Sequence, residues 1–88
     1  MRIAYLVPPD PTVEMLDAII TECFGRWGGR RTPIIPTDGV TIESAYWSLL
    51  DQWDADLIYS YCELSESLES RISALFAPSE IIVHEFSR

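Results

Sequence analysis

Four short apolar runs alternate along this chain with three stretches in which apolar residues recur every three or four positions. That alternation constrains the fold more than any other feature. Strands separated by helices assemble into a parallel sheet with helices packed on its faces. The first run, Ile3-Ala4-Tyr5-Leu6-Val7, is apolar at every position, as suits a strand buried on both sides. Pro8, Pro9, Asp10 and Pro11 stop it, and Asp10 before Pro11 predicts an N-cap with proline at the first helical position. Val13, Leu16, Ile19, Ile20, Cys23 and Phe24 then predict an amphipathic helix ended by Gly25 or Gly28.

The second run, Pro33-Ile34-Ile35-Pro36, is bracketed by prolines. Proline cannot donate to a ladder, so this strand belongs at a sheet edge. Thr37, Asp38 and Gly39 turn the chain, and Thr41 is the expected cap of a second helix. Its apolar positions are Ile42, Ala45, Tyr46, Leu49, Leu50 and Trp53. Leu57 to Cys62 form the third strand. Ser65 starts a third helix carrying Leu68, Ile72, Leu75 and Phe76, which Pro78 ends. Ile81 to Phe86 form the fourth strand.

The pattern is therefore βαβαβαβ. Right-handed crossovers leave few ways to order four parallel strands, and an edge position for the second strand selects 2-1-3-4. The expected fold is a three-layer α/β sandwich with a four-stranded parallel sheet, a truncated flavodoxin-like or Rossmann-like arrangement. Residues 1–88 form a single domain, expected to be the N-terminal part of a longer protein. Three helices serving two faces leave one flank of strand 4 short of cover, which favours contact with another copy or with the rest of a parent chain. Glu80, His84 and Glu85 partly blunt that edge.

Charge narrows the partners. Fourteen Asp and Glu face six arginines, with no lysine, for a net charge of -8. Duplex DNA is a poor match for such a surface. The opening segment MRIAYLVPPD is too short in its apolar part for a signal-peptide core or a membrane span, so a cytoplasmic setting is expected. Cys23 and Cys62 fit no zinc or CxxC spacing and read as small apolar side chains within their elements.

Ligands of open parallel sheets bind beyond the carboxyl ends of the strands, where the strand order reverses. In the order 2-1-3-4 that point lies between strands 1 and 3, which makes Pro9, Asp10, Cys62, Glu63 and Ser65 the candidate ligand rim. Asp10, Asp38, Glu63 and Glu85 place a carboxylate at or after every strand end. Such a ring suits Mg²⁺, but acids before helices also cap backbone N–H groups, and capping explains most of the pattern. Prolines stand where a phosphate-binding glycine motif would follow strand 1, which argues against a dinucleotide or P-loop site. The lone histidine, His84, has no evident nucleophilic partner. No catalytic residue, metal-ligand set or cofactor is assigned.

A second candidate surface is the loop GRWGGRR. Arg26, Trp27, Arg30 and Arg31 offer charge and a stacking ring for a phosphate, an anion, a nucleic acid or a protein partner. The topology sets this loop at the amino ends of the strands, opposite the ligand rim, where Asp54, Asp56 and Glu80 can pair with it. The favoured function is a non-catalytic interaction or regulatory module. The alternatives are a domain sensing a nucleotide or other anion and, less favoured, a Mg²⁺-dependent phosphotransfer or hydrolytic domain using Asp10, Asp38 and Glu63.

Overall fold

The computed structural model describes residues 2–25, 32–76 and 80–83, with Phe76 and Val83 described through their backbone only. Seven elements follow one another: β1 (Ile3–Val7), α1 (Val13–Gly25), β2 (Ile34–Pro36), α2 (Ser44–Trp53), β3 (Leu57–Ser60), α3 (Glu66–Phe76) and β4 (Glu80–Val83). All pairings are parallel, and the strand order is β2-β1-β3-β4. The expected alternation and order are both found.

Every residue of β1 is buried, because the strand lies inside the sheet with helices on both sides. Its alternate residues serve two separate cores. Ala4 and Leu6 join Ile35, Ile42, Leu50, Ile58, Leu68 and Ile72 beneath α2 and α3. Ile3, Tyr5 and Val7 join Met15, Ile19, Leu57, Tyr59 and Tyr61 beneath α1. Each fully buried aliphatic side chain here contributes roughly 1.5–3 kcal/mol by leaving water. Among the described residues, one face thus carries two helices, which touch each other, and the opposite face carries one.

The helices meet the sheet with part of each expected stripe: Ile19, Cys23, Ile42, Tyr46, Leu50, Trp53, Leu68 and Ile72 pack on the cores, and other positions differ. On α1, Met15 and Ile19 are buried and Cys23 packs beside them, whereas Val13, Ile20 and Phe24 are 74%, 51% and 72% exposed. On α2, Leu50 is buried, and Tyr46, Trp47 and Trp53 pack on the core, while Ala45 and Leu49 face out. Leu75 of α3 is exposed as well. In α1 the apolar arc is wider than one helix can bury, so a second stripe is left outside.

Two caps also differ. Thr12, not Asp10, caps α1: its hydroxyl accepts the N–H of Met15 at 3.1 Å, and Pro11 stays ahead of the helix. Thr41 does not cap α2, whose N-cap is Glu43 without a side-chain bond. Ser65 does cap α3, its hydroxyl accepting the Leu68 N–H at 3.1 Å. At the end of α2, Asp54 takes up left-handed angles (φ 54°), and its N–H bonds to the Leu50 carbonyl at 3.1 Å. β3 stops at Ser60 rather than Cys62, because the Ser60 hydroxyl turns onto Cys62, accepting its N–H at 3.2 Å and donating to its carbonyl. Residues 84–86, expected in strand 4, lie outside the described residues, as do Gly28 and Pro78. Among the described residues no helix is long and apolar enough to cross a membrane.

Candidate functional site

The rim beyond β1 and β3 is built from three loops rather than two. Thr37, just past β2, donates its N–H to the Val7 carbonyl at 2.8 Å, which carries the chain over the end of β1. The buried Thr37 hydroxyl accepts the Gly39 N–H at 3.1 Å and donates to the Thr41 carbonyl at 2.7 Å, folding the loop on itself. The Gly39 carbonyl then accepts the Ser65 N–H at 2.8 Å. The loop after β2 therefore bridges to the start of α3 across the point where strand order reverses.

Gly39 makes that bridge possible. Its φ is +85°, and a Cβ there would stand 2.0 Å from the Glu63 carbonyl oxygen. Only glycine accepts both the angle and the backbone approach.

Among the candidate rim residues, Cys62, Glu63 and Ser65 come together, while Pro9 and Asp10 are exposed on the loop after β1. No hydrogen bond or ion pair among the described residues links Asp10 to the other three. The Cys62 thiol donates weakly to the Thr37 carbonyl at 3.5 Å. Burial pushes its pKa up, and the charges of Asp38 and Glu63 push it further, so the thiol stays protonated and is a poor nucleophile. The Ser65 hydroxyl is occupied as a helix cap.

Asp38 serves its own loop. Its carboxylate accepts the N–H groups of Thr41 at 2.7 Å and Val40 at 2.8 Å, and these bonds hold its pKa below the usual value. The carboxylate is a local backbone cap, as the capping reading expected, although it caps a turn and not a helix. Among the described residues no three His, Cys, Asp or Glu side chains gather as a metal-holding group. Both cysteines are free thiols.

Arg26, Trp27, Arg30 and Arg31 lie outside the described residues, as do His84 and Glu85. Of the acids expected to pair with the loop, Asp56 has a partner that sequence reasoning missed. Asp56 accepts the backbone N–H of Arg2 at 3.0 Å, and the Arg2 guanidinium donates to the Trp53 carbonyl at 3.2 Å while lying 5.9 Å over the Trp53 ring. Arg71 likewise sits 4.9 Å over Trp47. A lone arginine ahead of a strand carries no local signal of such stacking.

An open depression of about 780 Å³ runs along α3, lined by Glu66, Glu69, Ser70, Ser73 and Ala74. These are solvent-facing positions of one helix, whose first turn starts beside the rim residue Ser65.

The two sheet edges contrast in what they offer a partner. At β2, the Pro33 carbonyl accepts the Tyr5 N–H at 2.9 Å, so alternation turns Ile34 and Pro36 outward, and Pro36 has no N–H. At β4, the Glu80 N–H bonds to the Asp56 carbonyl at 3.3 Å. The same alternation turns Ile82 toward β3 and leaves the N–H and C=O of Ile81 pointing outward. β4 pairs with β3 and has no second strand partner among the described residues. Compared with known proteins, the chain significantly matches no family model, no curated protein and no solved structure.

Proposed function

We propose that this chain is a non-catalytic α/β interaction module, working in the cytoplasm, that pairs with a protein partner along the outer edge of β4. The observation that supports it most is the contrast between edges: β4 turns two N–H groups outward, at Ile81 and Val83, whereas β2 turns out one, at Ile34, because Pro36 has none. Exposed edges of this kind template strand addition. The reading of a regulatory domain within a larger protein, or of a self-associating unit, follows from the same edge. Two free thiols agree with a reducing compartment.

The anion-sensing alternative draws less support from the rim. The loop through Gly39 bridges the crevice, Cys62 is held protonated, and Ser65 is used as a cap. Phosphotransfer through Asp10, Asp38 and Glu63 draws less again, because Asp38 is engaged by its own turn.

Amide exchange tests the proposal directly. In dilute protein the Ile82 amide should exchange slowly and the Ile81 amide quickly. Raising the concentration, with sedimentation read in parallel, should slow Ile81 as larger species form if the partner is another copy. A well-protected Ile81 amide in dilute, monomeric protein would sink the reading, since the edge would already be covered.

A further inference from the structure

Among the described residues, the α1 side of the sheet carries one helix fewer than the other side. Neighbouring packed helices stand about 8–10 Å apart, and four strands span roughly 14 Å, so a sheet this wide seats two helices side by side. The opposite face holds two; this face holds α1.

The exposed residues show where the gap lies. At about 100° per residue, Val13, Ile20 and Phe24 fall within roughly 40° of one another around α1. They lie on the side of the helix opposite Glu22, whose carboxylate accepts the Tyr61 hydroxyl at 3.1 Å, just past β3. Because β1 separates β3 from β2, the apolar stripe is turned toward β2. Ile34 of β2 pairs in register with Tyr5 and so shares the α1 face, and it is 40% exposed. Val13, Ile20, Phe24 and Ile34 thus line one apolar trough beside α1, and the carboxylate of Asp17 stands along its outer border by the same helical angles.

We infer that this trough docks an amphipathic helix from a protein partner, with apolar residues on one face and Lys or Arg at its border. Charge selects that occupant. The whole chain carries fourteen carboxylates against six arginines, for a net charge of -8, and the described arginines Arg2 and Arg71 lie over tryptophan rings. A second copy brings the same acidic body, and a two-fold pairing of α1 with itself sets Asp17 against Asp17. A basic partner meets neither penalty. The inference rests on the interaction-module reading but uses a surface separate from the β4 edge.

The test uses a synthetic helical peptide with leucines spaced i, i+3, i+4, i+7 and lysines elsewhere, titrated into the full chain by fluorescence anisotropy. A scrambled peptide of the same composition is expected to bind about tenfold more weakly, since apolar anchors carry most of such affinity. The triple variant Val13→Ser, Ile20→Ser, Phe24→Ser should lose at least about tenfold in affinity with its circular dichroism unchanged, and Phe24→Ser alone should lose part of it. Equal binding of the two peptides, or an unchanged triple variant, overturns the inference. So does a wild-type dimer that the triple variant dissociates, or capture of the wild type by neutral lipid vesicles through the same residues. The Ile81 amide reports the β4 edge independently, so the two readings fail separately.

Discussion

The two faces of the sheet solve the same burial problem with different materials. Beneath α2 and α3 the core is aliphatic, and tryptophans close its borders. Trp53 donates its indole N–H to the Ile3 carbonyl at 2.7 Å, a β1 acceptor lying before the first β2 pair, and Trp47 carries Arg71 across from α3. Beneath α1 the core is built on tyrosines. Tyr5 stacks on Tyr59 at 5.7 Å and on Tyr61 at 6.1 Å, and the Tyr61 hydroxyl ties this group to Glu22 of α1. The difference teaches that helix number sets how a face is secured. Two helices support each other laterally, whereas a single helix depends on its own contacts with the strands and keeps an apolar flank in solvent.

The sharpest way to break that comparison is to remove core side chains from each face. Leu50→Ala and Ile72→Ala beneath the paired helices, and Ile19→Ala beneath α1, should each cost about 2–5 kcal/mol in chemical denaturation. The faces should then diverge in amide exchange. Ile19→Ala should speed exchange through all of α1 while α2 and α3 keep their protection, because no other helix holds α1 down. Uniform acceleration of all three helices would mean that the faces unfold as one unit and that the contrast is one of composition only.

Next in size is Gly39→Ala. The positive φ alone costs on the order of 1–3 kcal/mol for a side chain, and a Cβ placed 2.0 Å from the Glu63 carbonyl oxygen also forces the loops apart. The loss should be visible as a lower thermal midpoint and as faster exchange of the Ser65 amide, whose acceptor is the Gly39 carbonyl. An undisturbed Ser65 amide would show that the loop can move without opening the rim.

How far the sequence anticipated this molecule depends on how local each cause is. The all-apolar β1 run and the prolines around β2 act within a few residues, and they lead to the right element sequence and strand order. The choice of helix face is not local. In α1 the three-four spacing is satisfied twice, by Met15, Ile19 and Cys23 and by Val13, Ile20 and Phe24, and tertiary packing decides which stripe meets the strands. Asp10 and Thr12 are both good capping residues, so composition could not choose between them. At the rim, Thr37-Asp38-Gly39 reads as an ordinary turn. That its glycine reaches across to Glu63 depends on two loops distant in sequence. The arginine-rich loop stands out in composition, but its residues lie outside those described, and the proposed interaction surfaces are an edge amide and a helix flank instead.

The smallest expected effect tests whether the tyrosine group is a fastening or mere filler. Burial, then the neighbouring Glu22 charge and its hydrogen bond, push the Tyr61 hydroxyl from its ordinary value of 10.0 up to about 12. The folded state therefore favours the neutral phenol. Its contribution to stability is complete below pH 10 and is lost as the pH rises toward 12, because the unfolded chain ionises first. Tyr61→Phe should cost about 1 kcal/mol at neutral pH, the usual scale for one hydrogen bond. The gap between wild type and variant should narrow steadily across pH 10 to 12, since phenylalanine cannot ionise in either state. Denaturation at several pH values reads this directly, with tyrosinate absorbance confirming which ring titrates late. A gap that stays constant through that window would mean that the Tyr61–Glu22 contact does not hold α1, and that stacking on Tyr5 alone secures the single-helix face.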